Sequence, residues 1–270
     1  MAPDAAMERL APGPLITLAR GAVSVDIAPQ AGGRIAQIRL DGVEQLAGYR
    51  DDNAAMIAWG SYPMVPWAGR VRQGEFAFEG EPRRLAINLG RHAIHGVGFA
   101  LPWRVDAQSQ HHVELSLALP QDERWPFGGI CRQRIEVEEG SVRMTLSVTA
   151  GAHALPAELG WHPWFLKPER LEFTPSQWYP RDADGMATRP LAPPPPGPWD
   201  DCFLNDAPAV LHRDGRRITL TSDCVHWVVY DMPERTTCVE PQSGPPDAFN
   251  LEPRTLAPGQ TLERWFRIAF

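Results

Sequence analysis

The chain has 270 residues, of which 43% are hydrophobic and 22% charged, so it can bury a full core and is not compositionally disordered. A formal net charge of −7, with no basic run, argues against nucleic acid as a partner. Residues 1–9 lack the apolar region of a signal peptide, and no apolar stretch is long enough to cross a bilayer. We therefore expect a cytoplasmic protein that does not bind membranes.

Short β-type runs, separated by turn residues, follow one another along the chain. The first two flank Arg20-Gly21, the third ends at Asp41-Gly42, and a later pair flanks Glu139-Gly140, as hairpins do. Residues 113–119 alternate between polar and apolar, which is typical of a half-buried strand. The predicted strands are residues 15–19, 22–27, 34–40, 113–119, 134–137, 142–148, 218–221, 227–230 and 264–270.

Helices are disfavoured because the chain holds 28 prolines and shows no amphipathic pattern longer than three turns. Regularly spaced strands predict an all-β fold, a large antiparallel β-sandwich. Residues 189–199 contain four consecutive prolines and form either a stiff boundary between domains or a long surface loop. We favour the loop, since strand-like sequence resumes beyond it, and expect one domain over residues 1–270.

Two clusters in the first half of the chain carry candidate binding groups. Arg70 lies in a Pro- and Gly-rich segment, where a guanidinium either clamps sugar hydroxyls or is an ordinary surface charge. His92 and His95 lie three residues apart, but glycines surround them and no third metal ligand is near. Hydrogen bonding of a substrate by one histidine is the better interpretation.

The second half holds candidates for proton transfer. His162 stands among Trp161, Pro163 and Trp164, where partial desolvation would lower its pKa; a core histidine bonded to a carbonyl is the alternative. Glu240 follows a strand-like run and precedes a proline, which suggests a carboxylate at a strand end rather than in a solvated loop. Asp200 belongs to a pair of adjacent carboxylates.

Four cysteines lie far apart in the chain. Cys131, Cys202, Cys224 and Cys238 form no Cys-x-x-Cys pair. In a reducing compartment this spacing favours buried thiols over disulfides or a metal site.

Together, these motifs resemble those of the aldose 1-epimerase family over nearly the whole chain. The resemblance is carried, in order, by PWAGRV, HAIHGVG, GWHPWF, DDCF and CVEPQSGPPDAFN. It implies sugar binding by Arg70, His95 and Asp200, with His162 as the catalytic acid and Glu240 as the catalytic base. The chain departs from better-studied galactose mutarotases before Arg70 and after His95, so the resemblance does not specify the sugar.

The resemblance implies an isomerase that interconverts the anomers of a free sugar, as a monomer or homodimer. A carboxylate and an imidazole on opposite sides of the sugar would open and reclose its hemiacetal, so we expect no metal and no cofactor. Three alternatives stay open: a hexose-6-phosphate 1-epimerase, a non-catalytic carbohydrate-binding protein on the same fold, and a glycoside hydrolase that uses Asp200 and Glu240.

Overall fold

The computed structural model describes residues 4–270, whose regular secondary structure is almost entirely β-strand. In chain order the strands are β1 (Ile16–Arg20), β2 (Val23–Ala28), β3 (Arg34–Leu40), β4 (Val43–Glu44), β5 (Ser61–Met64), β6 (Arg70–Val71), β7 (Glu75–Phe78), β8 (Glu81–Arg84), β9 (Ala93–Ile94), β10 (Arg104–Gln108), β11 (His112–Ala118), β12 (Ile130–Glu138), β13 (Ser141–Thr149), β14 (Leu155–Pro156), β15 (Gly160–Leu166), β16 (Arg170–Glu172), β17 (Gln177–Trp178), β18 (Asp200–Leu204), β19 (Ala209–Arg213), β20 (Arg216–Ser222), β21 (His226–Tyr230), β22 (Thr236–Gln242), β23 (Thr255–Leu256) and β24 (Thr261–Ala269). Helical structure is confined to 3-10 turns at Ala5–Met7 and Arg72–Gly74 and the short α-helix α1 (Ala248–Leu251) among the described residues. Within residues 4–270, no helix is long and apolar enough to span a membrane.

Two large antiparallel sheets make up the fold. The ten-stranded sheet has the order β1-β2-β3-β5-β15-β22-β21-β18-β17, with β4 paired to β3. The eight-stranded sheet has the order β10-β11-β12-β13-β24-β20-β19-β16. The ladders β6–β9, β7–β8 and β14–β23 stand apart from both sheets.

The hydrophobic core lies between the two sheets. Trp161 of the ten-stranded sheet packs on Phe266 of the eight-stranded sheet, with ring centroids 5.9 Å apart. Trp227, on β21 of the ten-stranded sheet, contacts the same Phe266 ring, with ring centroids 6.3 Å apart. Because side chains alternate across a strand, the residues next to these core positions point to the outer face of the ten-stranded sheet.

The predicted all-β sandwich is confirmed. Strand β3 coincides with its predicted residues 34–40, and the hairpin β12–β13 turns at Glu139-Gly140 as expected. The proline-rich residues 189–199 connect β17 to β18, which pair with each other in the ten-stranded sheet.

Arg34, at the start of β3, anchors the loops on the outer face of this sheet. Its side chain is fully buried and donates hydrogen bonds to four carbonyl oxygens, those of Ala31, Met56, Trp59 and Phe99, over 2.6 to 3.0 Å. Burial lowers the pKa of Arg34 to about 9, so the guanidinium remains charged at neutral pH. One buried cation therefore fixes loop segments that are distant in sequence.

We expect Arg34→Met to lower the free energy of unfolding by about 3 kcal/mol, because it leaves buried carbonyls without donors. Chemical denaturation of the variant beside the wild type measures this. Arg20→Met serves as the control, since Arg20 is half exposed and its nearest carboxylate oxygen lies 3.7 Å away. Equal stability of the two variants would contradict the anchoring role of Arg34.

Candidate active site

Strand pairing places His162 directly opposite Glu240. In the β15–β22 ladder Gly160 pairs with Gln242 and Trp164 with Cys238, and the same register aligns the residues midway between them. The His162 Nε2 and Glu240 Oε1 atoms are 3.2 Å apart, and both side chains are buried. Since Trp161 points into the core, both groups point to the outer face of the sheet.

The surroundings of this pair favour its uncharged form. Burial lowers the pKa of His162 to about 3, with further lowering by the charges of Arg34 and Arg70. Burial also raises the pKa of Glu240 well above its usual range, and the negative charge of Asp200 adds to this effect. A neutral imidazole beside a neutral carboxyl group holds one proton, the same number as an imidazolium beside a carboxylate. The pair is thus one proton shared between two sites.

Gln242 fixes the orientation of the Glu240 carboxyl group. Its Nε2 donates to Glu240 Oε2 over 3.2 Å, which leaves Oε1 facing His162. The Gln242 side chain is fully buried and stands two residues further along β22, on the same face. Gln242 belongs to the same sequence motif as Glu240, but the motif alone gives it no role.

Aromatic rings support the imidazole of His162 from two sides. Tyr62, its cross-strand neighbour on β5, stacks on the ring at a centroid distance of 4.8 Å, and Trp164 stacks at 5.1 Å. The His95 ring meets His162 edge-on at 5.0 Å. Packing on these faces limits the rotation of the imidazole and holds Nε2 towards Glu240.

The short ladder β6–β9 brings Arg70 and His95 to the site together. Arg70 pairs with Ile94, and the His95 amide donates to the Gly69 carbonyl over 2.9 Å. His95 adopts a left-handed backbone conformation with φ of 60°, which is uncommon for a residue with a side chain. Gly96 follows with φ of 76°, and a Cβ there would lie 2.0 Å from the Val65 carbonyl oxygen, so only glycine fits.

Asp200 reaches the same region from β18. Its carboxylate accepts a hydrogen bond from Arg181 Nη1 over 2.7 Å, a partner that sequence analysis missed. Arg70 and Asp200 line one small cavity of about 30 Å³, together with residues 185–187. The opposite charges of Arg70 and Asp200 therefore face a common space beside the His162–Glu240 pair.

Asp247 fastens the Arg70 segment to the loop after β22. Its amide donates to the Arg70 carbonyl over 2.6 Å, and its Oδ1 accepts from the Arg72 amide over 2.9 Å. The role of Asp247 depends on contacts between distant segments, which the sequence alone does not reveal. Asp247 lies within the motif that begins at Glu240, so one stretch of chain supplies both the carboxyl group of the pair and the support for Arg70.

Several local expectations need correction. Glu240 lies inside β22, two residues before its end, and not at a strand end. Arg70 stands in the short strand β6 and not in a loop. The two histidines His92 and His95 have different partners. His92 accepts a hydrogen bond from the Gln73 amide over 3.2 Å, whereas the His95 ring contacts the ring of His162.

The expectation of buried thiols is confirmed for all four cysteines, which are free. Their spacing in the sequence did not, however, reveal that folding places Cys238 beside two other possible metal ligands. Candidate ligand atoms of His162, Cys238 and Glu240 lie within 4.8 Å of one another.

A second polar group adjoins the pair on the same sheet face. His226 pairs with Gln242 across the β21–β22 ladder, and its Nε2 lies 3.1 Å from the Tyr179 hydroxyl. Tyr179 in turn donates to Glu252. Burial lowers the pKa of His226 to about 4, although the nearby negative charge of Glu252 raises it in part.

Below pH 6.5 the unfolded chain binds a proton at His226, whereas the folded chain does so only near pH 4. His226 therefore lowers the free energy of unfolding as the pH falls. From pH 6.5 to 5.0 we expect the wild type to lose about 1.5 kcal/mol of unfolding free energy relative to His226→Gln. Denaturation of both proteins at the two pH values measures this difference. A difference that stays constant with pH would contradict the buried, neutral state of His226.

Comparison with known proteins identifies the family and the fold. The aldose 1-epimerase family model matches residues 14–269, and the chain therefore belongs to that family. An uncharacterized protein of Escherichia coli (strain K12), YphB, is 31% identical over 158 residues, which are 56% of this chain and 51% of YphB. The aligned regions thus span about half the length of the curated relatives that the chain matches.

Solved structures agree in fold. A GalM/aldose epimerase homologue from C. elegans superposes with a TM-score of 0.81 at 14% identity, covering 95% of this chain and 98% of that one. A galactose 1-epimerase from Lactobacillus acidophilus NCFM has a TM-score of 0.79 at 19% identity, covering 94% of this chain and 93% of that one. At these identities the likeness establishes the fold alone.

Proposed function

We propose that this protein is an aldose 1-epimerase, which interconverts the α and β anomers of a free aldose. The observation that carries the proposal is the buried contact of 3.2 Å between His162 Nε2 and Glu240 Oε1. Membership in the aldose 1-epimerase family supports the same reaction class.

The proposed reaction opens and recloses a cyclic hemiacetal. Glu240 takes the proton of the C1 hydroxyl while His162 gives a proton to the ring oxygen. The ring opens to an aldehyde, the C1–C2 bond rotates, and reclosure on the other face reverses both transfers. The chemistry uses side chains alone and leaves no covalent intermediate.

The two groups of the pair are neighbours on adjacent strands, with 3.2 Å between His162 Nε2 and Glu240 Oε1. Adjacent groups suit the reaction because the two oxygens they serve are bonded to the same carbon atom.

The proton shared by the pair fits this cycle. Ring opening follows transfer of the shared proton from Glu240 to His162, so it starts from imidazolium and carboxylate and ends with neutral imidazole and carboxylic acid. Burial favours the neutral form of both His162 and Glu240, so it stabilises the stage at which the sugar is open. Reclosure then returns the proton from Glu240 to the new C1 hydroxyl.

The remaining polar groups are proposed to hold the sugar. Arg70 and Asp200 share a cavity and present donors and acceptors of opposite charge, which suit neighbouring hydroxyl groups. His95 adds an imidazole whose Nδ1 is buried and has no partner among residues 4–270. Trp164, partly exposed and next to His162, offers a flat apolar face of the kind on which sugar rings stack.

Charge pairing near the site favours a free aldose over a sugar phosphate. Arg72 is 2.7 Å from an Asp182 carboxylate oxygen, and Arg91 is 3.5 Å from Asp184. Arg72 and Arg91, which a phosphate group would otherwise attract, are therefore already paired with carboxylates of the protein.

We expect Glu240→Gln to lower the anomerisation rate at least about 100-fold, because the amide keeps the shape but cannot accept the C1 proton. His162→Asn should have a similar effect. Sugar affinity should persist in both variants, since Arg70, His95 and Asp200 remain. Saturation-transfer NMR measures the rate, and calorimetry measures the affinity.

Arg70→Ala is the matched comparison, because it should weaken affinity and turnover together through loss of a charged donor. A Glu240→Gln protein that interconverts anomers at the wild-type rate would rule out Glu240 as the base. A wild type that binds sugar without accelerating anomerisation would favour the non-catalytic carbohydrate-binding protein.

A further inference from the structure

We propose that His162, Cys238 and Glu240 form a latent site for a zinc-class divalent cation, and that an ion bound there blocks the candidate active site. We call these three residues the His-Cys-Glu cluster. Ion binding is independent of the proposed function, whereas the blocking effect rests on it.

The sheet itself builds this cluster. Cys238 and Glu240 are two residues apart on β22, so both side chains point to the same face. Cys238 pairs with Trp164 on the neighbouring strand β15, and His162 stands two residues before Trp164. The three ligands therefore form a triangle across two hydrogen-bonded strands, where the backbone holds their spacing.

The distances lie close to those of a metal site. The ligand atoms are within 4.8 Å of one another, and one pair is already 3.2 Å apart. Ligands of a tetrahedral zinc ion at bond lengths of about 2.0–2.3 Å are roughly 3.5 Å from each other. Closing the triangle therefore requires the ligand atoms to move towards one another by roughly 1 Å, a distance within the reach of side-chain rotation.

The ligand types select the class of ion. One thiol, one imidazole and one carboxyl group suit Zn²⁺, Co²⁺ or Cd²⁺, whereas Mg²⁺ and Ca²⁺ require oxygen ligands. When the ion binds, two protons leave to solvent. One comes from the Cys238 thiol, and the other is the proton shared by His162 and Glu240. The resulting thiolate and carboxylate balance the charge of the ion, so the buried site is neutral.

Cys238 is available for this role because the proposed reaction does not use it. Its side chain is fully buried, yet the β22 register places it on the site face and not in the core between the sheets. It lacks a disulfide partner. An ion held by Cys238 would occupy the lone pairs of Glu240 and His162 that proton transfer requires.

The first experiment measures binding directly, with CoCl₂ and ZnCl₂ as probes and the complete chain. Co²⁺ should give the near-ultraviolet charge-transfer band of a cobalt–thiolate bond, and excess Zn²⁺ should abolish it. Cys238→Ala should lose the band and bind Zn²⁺ at least ten-fold more weakly by calorimetry. Cys131→Ala is the matched control, because it removes an equally buried thiol from the core and should retain both signals.

The second experiment measures anomerisation with and without ZnCl₂. Zn²⁺ should inhibit the wild type and Cys131→Ala, EDTA should restore their activity, and Cys238→Ala should need at least ten-fold more Zn²⁺ for the same inhibition. Absence of the thiolate band, or equal Zn²⁺ affinity in wild type and Cys238→Ala, would overturn the proposed site. A thiolate band in a protein that never accelerates anomerisation would uphold the site and overturn the proposed function.

Discussion

The contact between His162 and Glu240 is the interaction on which the proposed chemistry depends. Two ionised groups buried together would pay a desolvation cost that their attraction only partly offsets. A neutral pair with the same proton avoids that cost, and the surroundings move the pKa values of both groups in this direction. The pair thus shares a single proton between an oxygen and a nitrogen, as the proposed acid–base exchange at a hemiacetal requires.

The rest of the fold keeps this contact in place. One face of the ten-stranded sheet packs into the core through residues such as Trp161, and the opposite face presents the pair. The buried guanidinium of Arg34 lies 5.0 Å from the centre of the Tyr62 ring, and Tyr62 stacks on His162. The residue that anchors the loops therefore also supports the ring that orients the imidazole. Loops and short ladders then add Arg70 and His95 from the side. Long strands position His162 and Glu240, the proposed proton-transfer groups, while the short ladder β6–β9 supplies Arg70 and leads into His95, two of the groups proposed to hold the sugar.

The sequence predicted the fold class and the hairpins, because alternation and turn residues are local signals. Its motifs also named five candidate site residues, whose roles stay predictions. It did not predict the strands that carry the site. Pro63, Pro163 and Pro241 lie inside β5, β15 and β22, although proline disfavours a central strand because it cannot donate to the ladder. Spacing also could not reveal the His-Cys-Glu cluster or the role of Gln242, since both depend on a register between distant segments.

Saturation-transfer NMR of the wild type with a panel of free aldoses, each beside its methyl glycoside, tests the proposed activity most directly. We expect magnetisation to pass between the α and β anomeric protons of at least one free aldose, faster than in buffer and without a change in the anomer ratio. The methyl glycosides should show neither exchange nor hydrolysis, because they lack the C1 hydroxyl proton that Glu240 is proposed to take. Buffer-level exchange for every free aldose, or release of methanol from a glycoside, would contradict the assignment of the His162–Glu240 pair to anomer interconversion.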